Sequence, residues 1–255
     1  MSDDMAELLP EGGLHVVYRI GDTVRRPAHP WTPRVHQLLR HLTEAGFDAS
    51  PNVYGYDDQG REVLTYFTGT VGHPPLAPHL RGDATLVAIA RLLRRFHDVT
   101  IPFVDRYSDG WQYPALAPAE VICHGDFAPY NCVFQDAQPV GIIDFDTARP
   151  APRWWDLGYV VYCLVPLAPA EQGGFGQSPE EQLRRVQLFF DSYGPVPSTT
   201  PPLLDQVVAR LDNMLDLIRN HPAFVKQRAE RHDDGYRRDL AYLREHADLW
   251  STLRF

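Results

Sequence analysis

The chain has 255 residues, a formal net charge of −9 and three cysteines, in a composition that is 44% hydrophobic and 22% charged. That length permits one or two domains with a sizeable core. The acidic balance argues against a nucleic-acid partner, and no apolar run approaches the roughly 20 residues that cross a bilayer. The opening MSDDMAELLPEGG lacks the basic and apolar parts of a secretory signal, so a cytoplasmic protein with no membrane partner is expected. Cys123, Cys132 and Cys163 form no CxxC pair and read as reduced core thiols.

In chain order, Pro10-Glu11-Gly12-Gly13 reads as a turn. His15 to Ile20 then alternates as a strand, and Gly21-Asp22 is a hairpin signal with glycine at the first turn position. Thr23 to Arg26 returns as the partner strand. Thr32-Pro33 predicts a helix start, Val35, Leu38, Leu39 and Leu42 form one apolar stripe, and Gly46 suits the C-terminal cap. Strands are predicted over 52–56 and 62–67, joined by Asp57-Asp58-Gln59-Gly60. A Pro-rich linker over 73–82 leads to a helix that Asp83 can start, and 102–118 has no clear period. Helices are predicted over 154–164, from Ser178-Pro179-Glu180-Glu181 to about Tyr193, over 203–220, and over 223–249 after Pro222. The layout is a β-rich first part (1–69) and a mostly helical second part (70–255).

The chemistry concentrates in VICHGDFAPYNCVFQDAQPVGIIDFD, residues 121–146. It reads as strand, polar loop, strand, turn, strand, with Asp126, Asn131 and Asp144 at strand ends. Asn131 and Asp144 offer the hard oxygen ligands that Mg²⁺ prefers. Asp126, at the start of the loop, can face an acceptor hydroxyl and take its proton. Together these are the parts needed for phosphoryl transfer, which depends on charge neutralisation and positioning more than on covalent work by the protein. His124 is expected to brace the loop by satisfying backbone groups.

This stretch resembles the catalytic core of the aminoglycoside phosphotransferase family, relatives of the choline kinases and more distantly of the protein kinases. The family's H-x-D-x-x-x-x-N is matched by His124, Asp126 and Asn131, and its metal-binding aspartate by Asp144, with Asp146 in support. Asp156, in Trp154-Trp155-Asp156-Leu157, matches an aspartate that supports the catalytic loop. The resemblance spans most of the chain. It implies an α+β, two-lobed, protein-kinase-like fold, with a small antiparallel-sheet N-lobe carrying one helix and a larger, mainly helical C-lobe. It also implies ATP or GTP as co-substrate with Mg²⁺, nucleotide contacts through the backbone of Thr65, Tyr66 and Phe67, and a hydroxyl-bearing small molecule as acceptor.

The sequence departs from that pattern in one respect. Its single lysine is Lys226. At the position of the family's N-lobe lysine stands Arg26, or Arg25 if the register slips by one. The helix offers Val35 or His36 where a glutamate is usual, so the ion pair that holds the cation is expected to be lost. An active small-molecule kinase is the leading reading. The alternative is a catalytically weak or inactive protein on the same fold, of the immunity or sequestration kind. For the acceptor, Tyr130, Trp154, Trp155 and the last helices form the expected wall. Asp212, Asp216, Asp233 and Asp234 could receive a cation, and Arg149, Arg153 and Arg219 an anion.

Overall fold

The computed structural model describes residues 6–9 and 16–253; the expected Gly12-Gly13 turn and His15 lie outside them. In chain order the elements are β1 (Glu7–Leu8), β2 (Tyr18–Ile20), β3 (Thr23–Arg26), α1 (Thr32–Glu44), β4 (Val53–Tyr56), β5 (Glu62–Thr65), β6 (Thr70–Val71), α2 (Asp83–Val104), β7 (Val121–Cys123), β8 (Cys132–Gln135), β9 (Gln138–Ile142), β10 (Arg149–Ala151), α3 (Trp154–Leu164), α4 (Pro179–Tyr193), α5 (Leu203–Asn220), α6 (Val225–Ala229), α7 (His232–Glu245) and α8 (Ala247–Trp250). They gather into two compact units. One is drawn from Met1–Gly72, Arg95–Asp126 and Tyr130–Pro152, the other from His73–Arg94, Phe127–Pro129 and Arg153–Phe255. No helix among the described residues is long and apolar enough to cross a membrane.

The first unit holds a five-stranded antiparallel sheet in the order β1-β2-β3-β5-β4. The β2–β3 hairpin turns at Gly21, whose φ of +58° a side chain would oppose. β3 pairs next with β5, which places Arg26 directly opposite Glu62. The α1 stripe is as the sequence predicts: Val35, Leu38, Leu39 and Leu42 are all buried. The start of α1 differs from the expectation. Trp31 occupies the cap position, and the Thr32 hydroxyl accepts the His29 N–H at 2.8 Å, so it caps the preceding turn. Gly46 closes the helix at φ +76° with its N–H on the Thr43 carbonyl. The same unit carries the three-stranded sheet β6-β8-β9 and the antiparallel pair β7–β10, so residues 121–142 do form strand, loop, strand, turn, strand.

The second unit is helical. Ser178 caps α4 by accepting the Glu181 N–H. Asp83, in the first turn of α2, pairs with Arg184 and Arg185 of α4 at 2.9 and 2.7 Å. The predicted single helix over 223–249 is instead a 3-10 turn (Pro222–Phe224) followed by α6, α7 and α8. The break falls at Arg231, which adopts the left-handed region at φ +56°. Helices usually end this way at glycine, so an arginine there gave no signal.

Gly158 brings α3 and α5 into close approach. A Cβ there would stand 3.0 Å from the backbone carbon, carbonyl oxygen and Cβ of Gln206. Gln206 is fully buried, and its Nε2 is tied to the Pro201 carbonyl at 2.7 Å, so it has little room to retreat. Alanine is favoured over glycine in a helix by about 1 kcal/mol, while overpacking costs about 1–3 kcal/mol. Gly158→Ala is therefore expected to lower the urea midpoint despite its better propensity; a raised midpoint would refute the close packing.

Candidate active site

Of the 121–146 stretch, residues 121–126 and 130–146 belong to the first unit. β7 ends at Cys123, and the fully buried His124 bridges two loops: Nε2 donates to the Ile143 carbonyl at 2.9 Å, and Nδ1 accepts the Asp126 N–H at 3.3 Å. Both bonds are satisfied by one neutral tautomer. Gly125 adopts φ +82°, and a Cβ there would collide with the Thr147 carbonyl oxygen. The Thr147 hydroxyl in turn donates to the His124 carbonyl at 2.9 Å. The loop carrying Asp126 and the loop carrying Asp144 are thus laced together at backbone level.

Asp126 is held by its own loop. Tyr130 Oη donates to its Oδ1 at 2.6 Å, and Asn131 Nδ2 donates to its Oδ2 at 3.0 Å and to its backbone oxygen at 2.9 Å. The 3-10 turn Pro129–Asn131 makes this possible by folding Asn131 back towards Asp126. With its nitrogen committed to Asp126, the amide keeps its Oδ1 as the atom for a cation.

Asp144 sits in the left-handed region at φ +63° and exposes 47% of its side chain, whereas Asp146 exposes 11%. Aspartate tolerates this backbone better than most residues, and such strain gathers at functional sites. Facing both is Arg26 from β3. Its Nη1 donates to Asp144 Oδ1 and its Nη2 to Asp146 Oδ1, each at 2.8 Å. Its Nε donates to Glu62 Oε1 at 2.6 Å. Arg25, the alternative register, instead lies 3.8 Å from Asp57. The expectation that the cation has lost its carboxylate is corrected: Glu62, from β5, supplies the partner, and α1 contributes His36, whose Nε2 donates to Glu62 Oε2 at 2.8 Å.

Burial disfavours charge on Arg26, but Asp146, Asp144 and Glu62 outweigh it and push its pKa above the ordinary value. Burial raises the Asp146 carboxyl pKa; Arg26 opposes this, while Asp144 and Glu62 add to it. One permanent cation faces three carboxylates in this cluster, so a negative excess remains. An oxygen-only donor set with net negative charge fits a magnesium ion, and Asp144, Asp146 and Asn131 are the residues that would hold it.

In the stretch expected to contact the nucleotide, β5 stops at Thr65. The Thr65 N–H bonds the Asn52 carbonyl at 3.1 Å and the Tyr66 N–H bonds the Asp22 carbonyl at 2.9 Å. Both donors are therefore spent within the chain. The Phe67 ring lies against Gly141, where a Cβ would come within 2.7 Å of it. In the second unit, Asp156 is fully buried in the first turn of α3.

The residues suggested for the acceptor wall divide. Arg149 and Arg153 are buried; Arg149 donates to the Pro114 carbonyl and Arg153 to the Tyr193 hydroxyl. They are therefore not on an open anion-receiving face. Asp233 and Asp234 pair with Arg237 and Arg231 on the surface. The buried acid of this region is Asp239, which accepts from the Tyr162 hydroxyl at 2.8 Å and whose carboxyl pKa is raised by burial. Its place with Tyr236, Leu240 and Leu243 at helical spacing was the available signal. Glu62 and Thr147 carried no local signal, and His36 was named only as standing where a glutamate is usual. The Arg26–Glu62 pairing arises between strands that are not neighbours in sequence, which no local pattern reveals.

The sheet-and-helix architecture defines a protein-kinase-like fold. Among solved structures, the chain is similar to the streptomycin–ATP–APH(2'')-IIa ternary complex, with TM-score 0.56 and 15% identity over 89% of this chain and 91% of that one. It is also similar to the phosphotransferase APH(3'')-Id of Streptomyces rimosus in complex with ADP and streptomycin, with TM-score 0.55 and 13% identity over 82% and 91%. In sequence, it is 33% identical to the trifolitoxin immunity protein of Rhizobium leguminosarum bv. trifolii over 203 residues, covering 76% of this chain and 75% of that protein. Residues 111–189 match the model of the phosphotransferase enzyme family. The chain belongs to that family.

Proposed function

We propose that the protein is a small-molecule kinase that moves the γ-phosphoryl group of a nucleoside triphosphate to a hydroxyl of its acceptor. The observation that carries this reading is the pairing of Asp126 with Asn131 beside an exposed Asp144, whose carboxylate meets a cation from β3. Asp126 orients the acceptor hydroxyl and takes its proton as the acceptor oxygen bonds the γ-phosphorus. The bond from that phosphorus to the bridging oxygen breaks, and a nucleoside diphosphate leaves. Asn131, Asp144 and Asp146 would hold Mg²⁺, which would neutralise phosphate charge. Arg26 presents guanidinium N–H groups to the phosphates, where a planar fork is geometrically suited to oxygen pairs. Among Thr65, Tyr66 and Phe67, the Phe67 N–H is the donor we assign to the base. His124 and Asp156 are supporting residues. ATP is favoured by the nucleotides bound in the solved relatives.

A second reading, a kinase-like binding protein of low activity, is favoured by two observations. One is the likeness to an immunity protein. The other is that Arg26 already occupies an oxygen of Asp144. A thermal-shift titration separates the two. Under the kinase reading, ATP or GTP with Mg²⁺ raises the melting temperature of the wild type, since a ligand at 100 times its Kd adds about 2.7 kcal/mol; Asp144→Asn removes most of that rise. A wild type indifferent to every Mg-nucleotide would leave the binding-protein reading.

A further inference from the structure

Resting on the kinase reading, we propose that Glu62 and His36 are the positioning pair for Arg26: together they hold its guanidinium so that the Nη edge meets the nucleotide phosphates. The two Glu62 oxygens have separate tasks. Oε1 takes Arg26 Nε at 2.6 Å and Oε2 takes His36 Nε2 at 2.8 Å. Glu62 is fully buried and His36 is 2% exposed, so neither bond competes with bulk water, and each is worth more than it would be at the surface. Arg26 and Glu62 are direct cross-strand partners in the β3–β5 register, which fixes their separation through the sheet backbone. His36 lies on α1, and its ring packs against that of Tyr56 on β4.

The physical need for such a pair follows from what stands on the other side. Asp144 and Asp146 take both Nη atoms of Arg26. Without an opposing anchor, the guanidinium would be drawn fully onto those two carboxylates, where it competes with a divalent cation for the same oxygens. Glu62 retains Nε from the far side. If Asp144 and Asp146 were to hold a metal, both Nη atoms would lose those partners while Nε stayed on Glu62, and the guanidinium would keep its place with the Nη edge available to phosphate oxygens. A lysine ammonium would serve anchor and phosphates from one nitrogen, whereas the guanidinium gives them separate nitrogens. Helix-to-strand coupling through His36 therefore replaces a direct helix carboxylate.

The test is nucleotide binding by the full chain, read with a fluorescent ATP analogue and Mg²⁺ and checked against the melting temperature without nucleotide. Glu62→Gln keeps an acceptor but loses the charge, and is expected to weaken binding about tenfold. His36→Leu should weaken it in the same direction, and His36→Gln, which keeps a donor to Glu62, should restore it. In an Arg26→Gln background, Glu62→Gln should have no further effect. The proposal is overturned if Glu62→Gln lowers the melting temperature yet leaves the dissociation constant unchanged, or if its effect persists in the Arg26→Gln background. Should Glu62→Gln fail to fold, the two His36 variants decide alone, and equal binding by both overturns the proposal. A wild type that binds no Mg-nucleotide overturns the kinase reading and this inference together; binding by the wild type with additive variants overturns the inference alone.

Discussion

Asp126→Ala is expected to lower turnover by about 10²- to 10⁴-fold, the usual contribution of a positioned general base, while Mg-nucleotide still raises the melting temperature. The separation of effects follows from the geometry. Asp126 bonds Tyr130 and Asn131 within its own loop, whereas the cluster around Arg26 is built from Glu62, Asp144 and Asp146. Removing its carboxylate takes away the proton acceptor and leaves the charged cluster around Arg26 intact. Asp126→Asn makes the stricter test. It keeps the shape but substitutes an amide that cannot take the proton, and it sets one NH₂ group against a Tyr130 or Asn131 donor. The measurement needs an acceptor, which a mass-shift screen of hydroxyl-bearing metabolites and antibiotics would supply. Wild-type turnover by either variant would remove Asp126 from the mechanism.

Gly125→Ala is expected to destabilise the fold by about 2–6 kcal/mol, the sum of left-handed backbone strain and overpacking against a fixed neighbour. That is a large part of the 5–15 kcal/mol by which domains are usually stable. Glycine is required here twice over, by φ +82° and by the approach of the Thr147 backbone. Pushing Thr147 away would also break its bond to the His124 carbonyl and shift the segment that carries Asp144 and Asp146. Loss of Mg-nucleotide stabilisation should therefore accompany the lower urea midpoint. A Gly125→Ala protein with the wild-type midpoint would mean that the two loops are not in contact.

The parts of the site that are local in sequence were legible before any coordinates. His124, Asp126, Asn131 and Asp144 lie within one short stretch whose apolar runs announce their strands; α1, α3 and α5 follow from apolar spacing, and the start of α4 from its Ser178 cap. The rest depends on pairing at a distance. Glu62 is one acidic residue at the head of an apolar run, and only the β3–β5 register gives it Arg26. His36 in the helix carries no carboxylate of its own; the strand supplies one in Glu62. Arg149 and Arg153 looked available because charge suggests exposure; burial with carbonyl and hydroxyl partners is invisible in a one-dimensional pattern. The break at Arg231 was missed because the chain there has no glycine or proline to mark it.

The Tyr130 hydroxyl, 2.6 Å from Asp126, bears on what happens when no acceptor is present. A carboxylate poised beside a bound triphosphate will activate any small hydroxyl that reaches it, and water is by far the most abundant. On the proposed assignment, the Tyr130 hydroxyl takes one of the acceptor positions that such a water would use. An acceptor competes with this internal hydroxyl, and its binding contacts elsewhere can favour it; a lone water has no such contacts. The tyrosine would thus suppress idle consumption of nucleotide and leave the true acceptor as the molecule able to start the reaction.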